Sequence, residues 1–377
     1  MTHSFDTIFD SIRPYNDEET AAAMQRIKGS PMLPMIESYV FPDKDKGYLA
    51  NLLADIKGVD DFQQRVMKDV VERVVYKTTQ GLTVGGLDNL VNKDGKPGKF
   101  LLLSTHRDIV LDPAFIQLVF NRSSFPTTEI AVGDNLFYNP EVKDMMSSNK
   151  MVVVKRSGSS REIYESSSLL SEYIRLQVSS QNSSVWIAHR QGRTKDGHDI
   201  TEKGLLKMLD MSGSGTFEEN FLEIPIVPVA ISYEYETCGA LKALELYTRE
   251  MNGGVYEKKP GEDLNSMVQG FKQPKGRVHI QFCKPLSQSE IYGGESLSKN
   301  EKFNRLAALI DSKLLEAYKL WPSNYIAADL VKNGTEYSNM YTAEDKEKFL
   351  NHIESETSGM PEAVKLRLLY LYAAHIG

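Results

Sequence analysis

His106 and Asp112 stand six positions apart in the stretch "STHRDIVLDP", residues 104–113. An imidazole whose ring N–H is held by a carboxylate keeps one tautomer and gains basicity, which makes it a general base. Asp108 lies nearer to His106 in sequence, so spacing alone does not choose between the two carboxylates. The Asp112-Pro113 pair does. Proline disfavours the α conformation in the residue before it, and Asp followed by Pro before "AFIQLVF" is a helix-start pattern. Asp112 is therefore expected to be extended, to cap that helix, and to lie beside the strand end that carries His106. Asp108 is expected in the loop, facing solvent or paired with Arg107 or a nearby cation.

His-Arg-Asp also opens the catalytic loop of protein kinases. That loop needs an Asn five residues after its Asp; here the position is Pro113. The chain has no G-x-G-x-x-G loop upstream and no Asp-Phe-Gly downstream, and the kinase reading is set aside.

Basic residues follow two more apolar runs. "MVVVKRSG" ends in Lys155 and Arg156, and "SVWIAHRQGRTKDG" in His189, Arg190, Gln191, Gly192, Arg193 and Lys195. Cations beyond strand ends, with glycine allowing close backbone approach, suit a phosphorylated ligand. His189, at the end of a buried run, reads as a hydrogen-bonded structural histidine. His198, His279, His352 and His375 receive no role. A further run, "IPIVPVAISYEY", holds Pro225 and Pro228; prolines demote a central strand, so an edge or groove-lining strand is expected.

The elements that must position these groups alternate. "KFLLLST", "TTEIAVG", "MVVVKR", "SVWIAHR" and "IPIVPVAISY" read as buried strands. Between them "PAFIQLVFN", "NPEVKDMMSSN", "REIYESSSLLSEYIRLQVSS" and "ITEKGLLKMLDMSG" read as helices, and "GRVHIQFCKPL" as a last strand. That alternation predicts an α/β fold with a mostly parallel central sheet flanked by helices, His106 falling beyond the carboxyl end of a strand. Residues 1–76 read as a helical N-terminal region, 77–292 as the α/β domain and 293–377 as a helical C-terminal region. In "VDDFQQRVMKDVVERVVYKTT", Phe62, Val66, Val70, Val71, Val74 and Val75 recur at helical spacing, with Asp60 or Asp61 as cap.

Composition narrows the classes. The 377 residues are 41% apolar and 25% charged, as in a globular protein with a core. A net charge of −7, from 44 Lys and Arg against 51 Asp and Glu, argues against broad nucleic-acid binding. Two cysteines, Cys238 and Cys283, make neither a disulfide scaffold nor a metal site and suggest a reducing compartment. The first residues, "MTHSFDTIFDSIRPYNDEET", lack the pattern of a signal peptide. No apolar run nears the ~18 residues of a membrane span. The expected setting is cytoplasmic, free or peripheral on the inner face of a membrane. "MPEAVKLRLLYLYAAHIG", with Leu366, Leu368, Leu369 and Leu371, is either a surface-bound helix or, more plainly, one packed on the core.

In their order, "HRDIVLDP", "MVVVKR", "QGRTKDG" and "VPVAISYE" resemble the four sequence blocks of the glycerolipid acyltransferases, and most closely those of the glycerol-3-phosphate enzymes. The resemblance spans about residues 80–290. It implies a fatty acyl transfer from acyl-CoA or acyl carrier protein to the hydroxyl of glycerol 3-phosphate or a lyso-phospholipid, in phospholipid biosynthesis. It implies that His106 is the base and Asp112 its orienter. Arg107, Lys155, Arg156, Gln191, Gly192, Arg193 and Lys195 would bind the phosphorylated acceptor, and the strand around Pro228 would shape the acyl groove. It implies no metal, no redox cofactor and no covalent enzyme intermediate. Two positions depart from the pattern. Five residues, Arg107 to Leu111, separate His from Asp where the family has four, and Gln191 stands where the family has Glu. A ligand-binding protein without turnover and an acyl-thioester hydrolase are the alternative functions.

Overall fold

The computed structural model describes residues 6–293 and 296–376. Seven strands form one sheet: β1 Thr79–Gly85, β2 Leu101–Ser104, β3 Glu129–Gly133, β4 Met151–Val154, β5 Val185–Ala188, β6 Ile226–Tyr233 and β7 Gly276–Phe282. Their order is β1-β7-β6-β2-β5-β3-β4. The five strands β2 to β6 run parallel to one another; β7 is antiparallel to β6, and β1 is parallel to β7. The expected mostly parallel sheet flanked by helices is what forms.

The short runs are continuous in apolar residues because both faces are covered. Leu101 and Leu103 of β2 join one core, with Val152, Ile174, Phe221, Leu306 and Ile310. Leu102 joins the core on the other face, with Ile116, Trp186, Val227, Ile231 and Phe282. The period-2 alternation of side chains thus splits "LLL" between two cores.

β6 departs from expectation. It lies inside the sheet, between β7 and β2, and is buried along its whole length. Pro225 precedes the strand. Pro228 sits where the antiparallel ladder with β7 begins, at Val229 opposite Phe282. Its carbonyl accepts from Cys283 N at 2.9 Å, and it lies one residue beyond the pairs that β6 makes with β7, while Leu103 of β2 stands opposite it on the other side. A proline at the end of a ladder is tolerated in a central strand.

The helix over 59–78 has a changed phase. Phe62 and Val66 belong to a core among the N-terminal helices, whereas Val71, Val74 and Val75 face the sheet. A π-helical turn at Gln63–Met67 lies between and rotates the apolar stripe. Asp60 and Asp61 lie in the first turn rather than at the cap, which is Gly58.

After β7, helix Lys299–Ala317 packs on the first core. Helices Pro322–Lys332, Ala343–Glu356 and Glu362–Ala373 pack with Gly239–Met251 in a core of their own. Leu368 and Leu371 are inside, so the last helix is the packed one, with Leu366 and Tyr370 exposed. Among the described residues no helix is long and apolar enough to cross a membrane.

Candidate active site

Two residues carry the chain from β2 to His106. Thr105 N donates to Val229 O at 3.1 Å, and Thr105 Oγ1 accepts from Ile231 N at 3.0 Å, so the loop starts pinned to β6. On the other side Thr194 N donates to His106 O at 2.8 Å. His106 is 8% exposed. Its Nδ1 lies 3.3 Å from Asp112 Oδ2. An ionised carboxylate only accepts, so Nδ1 carries the proton and Nε2 is left as the basic nitrogen. Burial, the largest influence, pushes the His106 pKa down, and Asp112 pulls it back in part. The direction is towards a neutral imidazole.

The two aspartates exchange the duties expected of them. Helix Leu111–Arg122 begins one residue before Asp112, so Asp112 is helical, in the first turn, and caps nothing. Its Oδ2 reaches back to accept from Arg107 N at 2.6 Å and Asp108 N at 2.8 Å, and its Oδ1 accepts from the Tyr233 hydroxyl at 2.9 Å. Asp108 is the buried cap: its Oδ1 accepts from Val110 N and Leu111 N, each at 2.9 Å. With those N–H groups satisfied by Asp108, the preference set by Pro113 is overridden and Asp112 is free to hold the histidine loop. Asp108 neither faces solvent nor pairs with Arg107. A Cβ at Gly270 would collide with its Oδ2, so helix Glu262–Lys272 packs on this loop through a glycine.

Among the expected acceptor cations, Arg193 is the one beside His106. Its positive charge adds to the lowering of the His106 pKa. Its Nη2 donates to Ser266 Oγ at 3.1 Å, while its Nη1 is buried with no partner among the described residues. Gly192 adopts φ +73° with open space where a Cβ would stand, so the turn needs glycine for its conformation. Gln191 is exposed beside it.

Lys155 and Arg156 follow β4, the edge strand. β5 and β3 separate β4 from β2, about 14 Å at ~4.8 Å per step. Both are exposed, and Lys155 Nζ lies 3.4 Å from Glu162. Arg156 leans back over the end of β3, where a Cβ at Gly133 would collide with its Nε and Cδ. Two basic pairs around one histidine are thus one arginine at the histidine and a second group farther along the same edge.

Three expectations are corrected. Arg107 is 1% exposed, so it presents no charge to a ligand. Its guanidinium pairs with Asp199 and lies 3.7 Å from Glu236, over the Tyr318 ring. Lys195 is ion-paired with Glu245. Pro228 is buried in the sheet opposite Leu103 and lines no groove.

Around Arg107 stands a cluster that sequence reasoning missed. Lys242 Nζ lies 2.5 Å from Glu236 and donates to Arg107 O at 2.6 Å. His375 Nε2 lies 3.3 Å from Asp199 Oδ2, and its ring stacks on Tyr318 at 3.8 Å. Thr194 Oγ1 donates to Asp199 Oδ1 at 2.6 Å. Burial pushes the Asp199 carboxyl up, and Arg107, His189 and His375 outweigh it, holding it well below its usual value. The one sequence signal for this cluster was Lys242, a lysine between Ala240 and Ala243 on an apolar helix face. His189 is fully buried, with Nδ1 3.2 Å from Thr201 Oγ1, a structural placement. Among the described residues no group of three or more His, Cys, Asp or Glu side chains could hold a metal ion.

The edge so built offers a neutral imidazole backed by a buried carboxylate, beside an arginine with an unused N–H. That is equipment for deprotonating a hydroxyl on an anionic substrate. The Acyltransferase family profile matches residues 81–232, which carry this edge. Two glycerol-3-phosphate acyltransferases of Pseudomonas fluorescens strains are 22% and 23% identical over 281 residues, 71% of this chain. The chain spans 32% of the length of these relatives. The crystal structure of the 1-acyl-sn-glycerophosphate (LPA) acyltransferase, PlsC, from Thermotoga maritima overlaps 81% of this chain and 97% of its own, at 12% identity and a TM-score of 0.41. The chain is thus similar to the Acyltransferase family over residues 81–232 and to these glycerol-3-phosphate acyltransferases over 281 residues.

Proposed function

We propose that this protein transfers a fatty acyl group from a thioester, acyl-CoA or acyl carrier protein, to the hydroxyl of glycerol 3-phosphate or a lyso-phospholipid. His106 Nε2 takes the hydroxyl proton while Asp112 holds Nδ1–H. The acceptor oxygen attacks the thioester carbonyl, the C–O bond forms, the C–S bond breaks, and the proton passes from Nε2 to the leaving thiolate. The acyl group goes directly to the acceptor, without an acyl-enzyme. Arg193 holds the acceptor phosphate through its free Nη1–H, a charge-assisted bond, with Gln191 and Gly192 in the same turn; Arg156, over the end of β3, approaches from farther along the edge. The reaction draws on no metal or cofactor. The protein works in the cytoplasm, free or peripheral on the inner face of the membrane.

The observation that carries this reading is the His106–Asp112 pair, 3.3 Å apart, with Arg193 beside it. Its test is to offer the purified protein an acyl thioester with and without glycerol 3-phosphate, following both free thiol and acylated product. Thiol release that needs the acceptor is expected. Release without acceptor identifies a hydrolase, and ligand binding without release identifies a non-catalytic binding protein.

A further inference from the structure

Four donors converge on the Asp112 carboxylate, and one differs from the rest. His106 Nδ1–H, Arg107 N–H and Asp108 N–H all reach Oδ2, and all belong to the loop after β2. Oδ1 has one donor among the described residues, the Tyr233 hydroxyl at 2.9 Å. Tyr233 is the last residue of β6, next to β2 in the sheet. Its ring is 1% exposed and packs 6.3 Å from that of Phe115, on the helix that carries Asp112. The phenol is therefore fixed by the sheet, not by the loop. A carboxylate held on both oxygens, from two directions and out of water, has one plane open to it.

We propose that Tyr233 is a positioning residue for the acyl transfer, its hydroxyl holding the Asp112 carboxylate in the plane that aims Oδ2 at His106 Nδ1 and setting how strongly that carboxylate supports the imidazole. The proposal rests on the reading that His106 is the base. Tyr233 touches no substrate and acts through Asp112. A buried hydrogen bond to a carboxylate also draws charge from it. Without that bond the charge gathers on the oxygen facing His106, and imidazolium is favoured.

Other charges face these groups. His106 is also met by Arg193, from the loop after β5, and by Lys242, from helix Gly239–Met251. Asp112 is met by Asp108, and Tyr233 by Asp108 and Glu236. Tyr233→Phe alters none of them. It keeps the ring and removes one O–H.

The experiment has two readouts. In steady-state acyl transfer, Tyr233→Phe lowers kcat by roughly tenfold to a hundredfold, the scale of one lost hydrogen bond to a charged group, with KM for both substrates nearly unchanged. In the NMR titration of the His106 imidazole, the midpoint moves up in Tyr233→Phe relative to the parent protein. A purely structural role would lower the folded fraction without moving that midpoint. An unmoved midpoint with unchanged kcat overturns the proposal. In an Asp112→Asn background Tyr233→Phe should have no further effect on kcat; an equal effect there also overturns it. If the parent protein transfers no acyl group, the reading of function fails, and the titration still tests the link from Tyr233 through Asp112 to His106. Should Tyr233→Phe not fold, a fluorinated tyrosine placed at position 233 alone, a stronger donor, moves the midpoint down. No movement there overturns the proposal.

Discussion

The guanidinium of Arg107 and the carboxylate of Asp199 form a buried ion pair that ties the loop after β2 to the loop after β5. Arg107 is the neighbour of His106, and Asp199 also accepts from Thr194, whose backbone N–H holds the His106 carbonyl. The peptide on either side of the imidazole is thus fastened by charge on one side and by the sheet on the other.

The cluster behind this pair is sensitive to loss of one partner. Lys242→Met leaves Glu236 buried, with Arg107 at 3.7 Å as its remaining cation. Breaking a buried pair by removing one member costs roughly 3–5 kcal/mol. Chemical denaturation should show a loss of that size. A loss near zero would mean that Glu236 finds water or a proton.

The pH dependence follows from burial of His106, which lowers its pKa from the ordinary histidine value. The neutral form is the base, so activity is lost as pH falls through the lowered pKa. The acid limb of kcat/KM should have its midpoint below ~6.5, the value of a solvated histidine. A midpoint well above that would show that Asp112 outweighs burial.

Arg193 and Arg156 should differ. Arg193→Ala removes the cation at His106 and should raise the KM of the phosphorylated acceptor by about tenfold or more, as for a charge-assisted hydrogen bond. Arg156→Ala, farther along the edge, should raise it less. Steady-state kinetics with each substrate varied separately reads both. A larger change in the donor KM would assign the arginines to the donor's phosphates.

The parallel sheet was legible because β2 and β5, buried on both faces, and the half-buried edge strand β4 read as unbroken apolar runs. β1 was not seen: it is an edge strand holding Gly81 and Gly85, with most of its side chains exposed. The His106–Asp112 spacing was legible, but its geometry was not, because a competing cap, Asp108, took the helix N–H groups. Arg107 read as a ligand cation because sequence displays charge and hides its partners. Asp199, Glu236 with Lys242, and His375 come from three separate stretches of the chain. Tyr233 was one more aromatic residue at a strand end.

The most direct test of the account is the rate of acceptor-dependent acyl transfer by a folded His106→Ala protein. A positioned general base contributes roughly 10²–10⁴-fold, and a loss of that size, with circular dichroism and thermal midpoint preserved, is the predicted result. Near-normal transfer by the folded variant would contradict it.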